Sequence, residues 1–110
     1  MMRTLTFTLA LMLLLVPVHA EEQEVARTLD DFHLAASQAD AKRYFGYFAP
    51  EGVFLGTDGG ERWTVEEFQA YAMPFFSQGK GWTYKATGRH ITLSPDGKTA
   101  WFDEALENTN

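Results

Sequence analysis

The stretch "WTYKATGRHITLSPDGKTAWFDEALEN", residues 82–108, decides the fold, because two long runs of strand-forming residues flank a turn sequence. In "SPDG" (94–97), proline sets φ at the first central position of the turn and glycine accepts a left-handed backbone. The pattern predicts an antiparallel hairpin. With a bulge at Gly97, the predicted register places three pairs opposite each other: Arg89 and Asp103, His90 and Phe102, Ile91 and Trp101. A two-residue turn would shift this pairing and change which partners meet.

Residues 1–20, "MMRTLTFTLALMLLLVPVHA", have the pattern of a secretory signal peptide. One basic residue, Arg3, precedes an apolar run at 9–16, and small residues end at Ala20, where a signal peptidase would cut. The apolar run is too short to span a bilayer of ~30 Å as a helix. We therefore predict a secreted or periplasmic protein whose mature chain, residues 21–110, is one small domain without stable membrane insertion. The alternatives are an uncleaved anchor or a buried helix.

The composition excludes several classes of function. The chain has 9 basic and 15 acidic residues, a formal net charge of −6, and no basic patch, so nucleic-acid binding is not expected. It has no cysteine, which excludes disulfides and thiolate metal sites. No spacing of His, Asp or Glu resembles a metal cage, so we predict neither a metal nor another cofactor.

The helical segments precede the hairpin. Apolar residues recur at helical spacing from Glu21 to about Gln38, and Asp40 can cap a second, shorter helix over 41–49. A short strand is predicted at 52–57 and a loop at 58–60. Thr64 and Glu67 form a capping box for a third helix, in which Pro74 predicts a kink or an early stop. Helices grouped before an antiparallel sheet indicate an α+β fold.

Four strings covering most of residues 28–108 resemble the SnoaL-like domains of the nuclear transport factor 2-like superfamily: "DDFHLAASQAD", "YFGYFAPEGVFLGTDGGERWTVEEFQAYAMPFF", "GWTYKATGRHITLS" and "GKTAWFDEALEN". The resemblance implies a cone-shaped, curved antiparallel sheet packed against three N-terminal helices, with a pocket opening into the cone. Domains of this kind continue with further strands, so the resemblance implies that the last strands are missing here. The alternative is a natural short form that completes its sheet by forming a homodimer.

Candidate site residues are the polar and aromatic side chains that would line such a pocket. Glu104, His90 and Asp103 are the candidate catalytic groups, since related isomerases and cyclases move a proton with a pocket carboxylate and a polar donor. Asp103 and Glu104 are adjacent on a strand, so at most one of them enters the pocket. Phe102 shares the face of Glu104 and would help to desolvate it. The candidate ligand-binding residues are Tyr44, Phe48, Asp58, Arg62, Trp63 and Trp101.

Each candidate also has a purely structural interpretation. His90 and Glu104 would then be solvated strand residues, and Asp103 would form an exposed cross-strand ion pair with Arg89. The tryptophans would be core residues. We favour an exported domain that binds a small apolar or amphipathic molecule without established catalysis. The alternatives are an isomerase or cyclase that uses the pocket carboxylate, and an interaction module whose sheet face forms a dimer.

Overall fold

A 20-residue helix, α1 (Val18–Ser37), begins the part of the chain that the structure describes. The computed structural model describes residues 18–110, with side chains from residue 21 onward, so most of the predicted signal peptide lies outside the described residues. The amphipathic helix predicted from Glu21 is confirmed. Its apolar stripe is buried at Leu29, Ala35 and Ala36, which leaves the opposite face to polar side chains.

The second helix, α2 (Ala41–Phe45), is shorter than predicted. The predicted cap is confirmed, because the side chain of Asp40 accepts a hydrogen bond from the backbone N–H of Arg43 at 3.2 Å. After Phe45 the backbone tightens into i→i−3 turns, in which the N–H groups of Tyr47 and Phe48 bond to carbonyls three residues earlier.

A small hairpin, β1 (Val53–Leu55) and β2 (Arg62–Thr64), leads into the third helix, α3 (Val65–Phe76). Strand β2 was not predicted, because three residues are too few to show an alternating pattern. The capping box is confirmed in both directions: the backbone N–H of Glu67 donates to Thr64 Oγ1 at 3.1 Å, and that of Thr64 donates to Glu67 Oε1 at 3.0 Å. Helix α3 continues for two residues beyond Pro74, where the missing N–H affects only the last turn.

The long hairpin consists of β3 (Tyr84–Leu93) and β4 (Ala100–Asn108), and its register differs from the predicted one by one residue. Arg89 lies opposite Glu104, not Asp103, and His90 lies opposite Asp103. The reason is the loop, in which Ser94 N–H bonds to the carbonyl of Thr99 at 2.8 Å, so that four residues, 95–98, lie between this hydrogen-bonded pair, one more than predicted. The left-handed backbone predicted for Gly97 is confirmed, at φ 71°.

The shifted register changes which side chains share a face of the hairpin. Arg89 and Glu104 lie on the face turned towards α1, together with Ile91 and Phe102, whereas Asp103 lies with His90 on the other face. The predicted common face of Phe102 and Glu104 is confirmed. The predicted ion pair between Arg89 and Asp103 is wrong.

An aromatic core joins the helices and the small hairpin. Its buried members come from all three helices: Ala35, Ala36, Tyr44, Phe45, Phe68, Ala72 and Phe76. Phe54 of β1 stacks on Phe68 with ring centroids 3.7 Å apart. The segment leading to β3 crosses the end of α1 at Gly81, where a Cβ atom would lie 1.9 Å from the carbonyl oxygen of Ala36, so only glycine fits.

The α+β class and the antiparallel strands are confirmed. Within residues 18–110 the strands form two separate two-stranded sheets, β1–β2 and β3–β4. None of the helices in this range combines the length and the apolar character that crossing a bilayer requires.

Polar side chains tie α1 to α2 on the side away from the core. The Arg43 guanidinium and the Tyr47 hydroxyl both donate to the carboxylate of Asp31, with Arg43 Nε 3.0 Å from Oδ2. These hydrogen bonds lower the pKa of Asp31 from its ordinary value of 3.8 to about 2. The hydrogen bond from Arg43 has the larger effect and that from Tyr47 the smaller.

We expect Asp31 to contribute to stability above about pH 4 and to lose this contribution as the pH falls towards 2, because a lowered folded-state pKa favours the ionised form. Urea unfolding midpoints measured between pH 5 and pH 2 should fall more steeply for the natural sequence than for Asp31→Asn. Arg43→Gln should flatten the profile in the same way. Identical acid profiles for the natural sequence and Asp31→Asn would contradict the assignment.

Candidate functional site

The carboxylate of Glu104 is the most deeply buried acidic group in the contact between α1 and the long hairpin, with its side chain 4% exposed. Burial of a charge is costly unless the charge is paired and hydrogen-bonded. Both oxygens of Glu104 meet this requirement. Oε1 lies 3.0 Å from His33 Nε2 on α1, and Oε2 accepts from Arg89 Nε at 2.9 Å on the neighbouring strand.

Arg89 links the buried Glu104 to the exposed edge of the contact between α1 and the long hairpin. Its Nη2 lies 2.9 Å from Glu104 Oε2, while its Nη1 donates to Asp30 Oδ1 at 2.9 Å and to the backbone carbonyl of Ala26 at 3.2 Å. The Arg89 side chain is 17% exposed, whereas that of Asp30 is 69% exposed. Asp30, His33, Arg89 and Glu104 therefore form one continuous network, which we call the polar cluster.

A cleft of about 560 Å³ lies beside the polar cluster, between the second half of α1 and the first half of β3. Three members of the cluster, Asp30, His33 and Arg89, form part of its wall. The remaining wall consists of Leu34, Ser37 and residues 83–88. Leu34 is 48% exposed, so the cleft offers apolar as well as charged surface.

The contact between His33 and Glu104 determines the tautomer of the imidazole, that is, which ring nitrogen carries the proton. An ionised carboxylate only accepts hydrogen bonds, so Nε2 of His33 has to carry the proton that it donates. In the neutral ring, Nδ1 is then the nitrogen that can accept a proton. A carboxylate that sets the tautomer of a histidine is the arrangement that enzymes use to orient a general base.

The three predicted catalytic residues lie on opposite faces of the long hairpin. Glu104 belongs to the polar cluster, where His33 and Arg89 bury it; Phe102, which was expected to desolvate it, is 49% exposed. His90 and Asp103 are exposed register partners on the opposite face. The structure therefore pairs Glu104 with a histidine of α1 and not with His90.

The predicted ligand-binding residues do not line the cleft. Tyr44 is buried in the aromatic core, where it stacks on Phe32 with ring centroids 4.5 Å apart, and burial raises the pKa of its hydroxyl. Phe48 packs against the same core. Trp63, in β2, packs against Phe68 of α3, with their ring centroids 5.9 Å apart.

Three further candidates are on exposed surfaces. Asp58 accepts a hydrogen bond from the backbone N–H of Gly60 at 3.0 Å and so stabilises the loop between β1 and β2. Arg62 is exposed at the start of β2, opposite Leu55. Trp101 is exposed on the face of β4 that points away from α1.

His33 and Asp30 were not among the predicted site residues, and Arg89 pairs with Glu104 and not with the predicted Asp103. His33 is 71 residues away from Glu104 in the chain, so no local pattern connects them. The available signal was the spacing of Asp30 and His33, three residues apart, which places both on one side of a helix. Among residues 18–110, no group of three or more His, Asp or Glu side chains is arranged to hold a metal ion.

Comparison with protein families identifies the domain. A model of the SnoaL-like domain matches residues 25–110, which include α1 from its second turn and every later element. The chain belongs to the SnoaL-like family. Searches of curated proteins and of solved structures each gave no match. This SnoaL-like domain carries the polar cluster and the cleft within the matched range.

We expect Glu104→Gln to lower the free energy of unfolding by about 3 kcal/mol, because it removes the charge of one partner from a buried pair and leaves exposed Asp30 as the carboxylate partner of Arg89. Asp103→Asn, on the neighbouring exposed position of β4, should change it by less than about 0.5 kcal/mol. Urea denaturation at neutral pH measures both. Equal effects of the two substitutions would show that the polar cluster does not hold the hairpin to α1.

Proposed function

We propose that this SnoaL-like domain is exported and binds a small amphipathic molecule in the cleft between α1 and β3. The observation that carries the proposal is the composition of the cleft wall, where exposed apolar surface at Leu34 adjoins the charged groups of the polar cluster. Small-molecule sites are concave, with apolar walls and a few fixed polar groups. The SnoaL-like family includes ligand-binding members as well as isomerases and cyclases.

Hydrogen bonds within the polar cluster hold Arg89 and His33 in fixed positions without a ligand. Arg89 is bonded on one side to buried Glu104, and His33 is bonded to the other oxygen of the same carboxylate. Side chains held in this way lose little conformational freedom on binding. The apolar part of a ligand would lie along Leu34 and the first half of β3.

Binding can be tested with three probes that share an eight-carbon chain: 1-octanol, octane-1-sulfonate and octylamine, each used below its aggregation concentration. At least one probe should shift the backbone amide NMR signals of Leu34 and residues 83–89 and leave those of residues 58–60 unchanged. Leu34→Gln should raise the dissociation constant of that probe about threefold to tenfold, because the substitution removes apolar surface from the cleft wall.

Leu55→Gln is the matched control, since Leu55 is an exposed leucine on β1, outside the cleft wall. It should leave the affinity unchanged. The proposal fails if no probe shifts the cleft signals, or if both leucine variants weaken binding equally.

A second candidate function is proton transfer, which the 3.0 Å contact between His33 and Glu104 favours. In this mechanism Glu104 orients the imidazole, His33 removes a proton next to a carbonyl group of the bound molecule, and Arg89 holds Glu104 in place through its hydrogen bond. Positioned general bases of this kind accelerate reactions by about 10²–10⁴-fold. This assignment replaces His90 and Asp103 with His33 as the reacting side chain.

Exchange of the α-protons of a cleft-binding ketone, 2-octanone, in deuterated buffer would test the second candidate. The natural sequence should accelerate the exchange, and His33→Gln should abolish at least nine tenths of the acceleration. His90→Gln is the control and should keep full activity, because His90 is on the opposite face of the hairpin. Equal rates for the natural sequence and His33→Gln would eliminate proton transfer by His33.

Cleavage after Ala20, export and homodimer formation stay predictions from the sequence. The same holds for the cone shape of the sheet.

A further inference from the structure

The cleft beside α1 is open to the backbone edge of strand β3. Its wall includes every residue of the stretch 83–88 in succession. Successive side chains of a strand point to opposite faces of a sheet, so a cleft that met only one face would be lined by alternate residues. Lys85 shows the difference, because it lies opposite Glu107 on the face of the hairpin away from α1 and still lines the cleft. The cleft therefore meets the edge of the strand.

The backbone groups at this edge are unpaired. The N–H of Thr109 donates to the carbonyl of Thr83 at 3.0 Å, which makes these two residues a hydrogen-bonded pair of the hairpin. Bonded and non-bonded pairs alternate along antiparallel strands, so the N–H and C=O groups of Tyr84 and Ala86 point away from β4. Within residues 21–110 these groups have no hydrogen-bond partner. Unpaired groups at a strand edge are a template for a further strand.

The two sides of the edge differ in polarity. A strand added beside residues 83–88 would turn alternate side chains towards α1, where Leu34 is 48% exposed. Its other side chains would lie next to exposed Lys85. The stretch is about 17 Å long at ~3.4 Å per residue, which matches a segment of about five residues. The cleft is therefore complementary to a short extended segment in which apolar and polar residues alternate.

Charge limits which segments are favoured. The charged groups of the wall are balanced locally, since Arg89 pairs with both Glu104 and Asp30. Lys85 likewise has Glu107 as its cross-strand neighbour. The chain as a whole carries a net charge of −6. Because the field of an acidic protein attracts cations, a segment with basic ends is complementary to it and one with acidic ends is not.

Building on the proposed function, we propose that the amphipathic molecule is a short peptide segment of another protein, with alternating apolar and polar residues and basic ends, which adds to the free edge of β3 as a further strand. Its backbone forms hydrogen bonds with Tyr84 and Ala86, and its apolar side chains lie on Leu34. In this mode of recognition the main-chain hydrogen bonds supply affinity and the alternate side chains supply specificity.

The probe is the synthetic peptide acetyl-Lys-Val-Thr-Val-Thr-Lys-amide, followed by NMR titration and amide hydrogen exchange. Saturating peptide should slow the exchange of the Tyr84 and Ala86 amides at least about tenfold, because both gain a hydrogen bond. The Lys85 amide should change little, since it is already bonded to β4.

Methylated peptides test the backbone contact without any change in the protein. One carries N-methyl groups on both valines and the other on both threonines, so that each loses the N–H groups along one edge only. One of the two should lose binding and the other should keep it, because a strand offers only one edge to β3. In an antiparallel pairing the valine N–H groups face β3, and the valine-methylated peptide is the one that fails.

Ala86→Pro is the matching change in the protein. It removes an N–H that faces the cleft and leaves the ladder to β4 intact, so the dissociation constant of the peptide should rise at least about tenfold. Leu106→Pro is the control, because Leu106 lies opposite Ala86 and its N–H points outward at the other edge of the hairpin. It should leave the affinity unchanged.

A peptide in which glutamate replaces both lysines tests the charge argument. It should bind about threefold more weakly than the parent peptide at low salt, and the difference should vanish at about 0.5 M salt. Equal affinities at low salt would contradict the preference for basic ends.

The inference is overturned if the octyl probes bind the cleft and the peptide does not, or if both methylated peptides bind as tightly as the parent. The proposed binding function stands in either case. Absence of binding by the octyl probes and by the peptide overturns both. Slow exchange of Tyr84 and Ala86 without peptide, in a protein that sediments as a dimer, would assign the edge to a second copy of the chain and also overturn the inference.

Discussion

A carboxylate that is 4% exposed has to find its hydrogen bonds inside the protein, and for Glu104 this requirement determines where α1 lies against the long hairpin. One oxygen takes its partner from α1 and the other from β3. Arg89 then extends the contact to Ala26 and Asp30, a full turn apart on α1. A slip of the helix or of the hairpin by one residue would break several of these bonds at once. Buried ion pairs often add little net stability compared with apolar packing, so their main effect here is on geometry.

Helix α1 divides the domain into two regions with different physical chemistry. Phe32 enters the aromatic core with Tyr44, while the adjacent His33 turns to Glu104 and the cleft. The core therefore supplies the burial that holds α1, α2, α3 and the small hairpin together, and the polar cluster attaches β3–β4 to the same helix. Because both regions depend on α1, the packing of Phe32 in the core also fixes the position of His33 at the cleft.

Much of the fold could be predicted because its signals are local. The capping box at Thr64 and the turn at Gly97 are both contained within four residues, and both are confirmed. The register of the hairpin failed by one residue because it depends on whether Lys98 belongs to the loop or to the strand, a choice that turn composition leaves open. Glu104, a candidate from the sequence, lies in the polar cluster, but its contacts with His33 and Arg89 were not predicted. His33 and Arg89 reach it across 71 and 15 residues, and such contacts follow from packing and not from sequence spacing.

The polar cluster and the cleft wall contain residues that differ in how strongly the fold depends on them. Glu104 and Arg89 hold the fold, so a substitution at either position alters the contact between α1 and the hairpin together with any binding in the cleft. Asp30 and Leu34 are on the rim, where they are exposed and contribute little to the core. Substitutions at these rim positions can alter the charge and the apolar surface of the cleft while the buried pair stays intact. Under the proposed function, such a scaffold keeps its arginine and histidine in place and leaves the choice of ligand to the residues around them, which accords with a family that includes ligand-binding members as well as isomerases and cyclases.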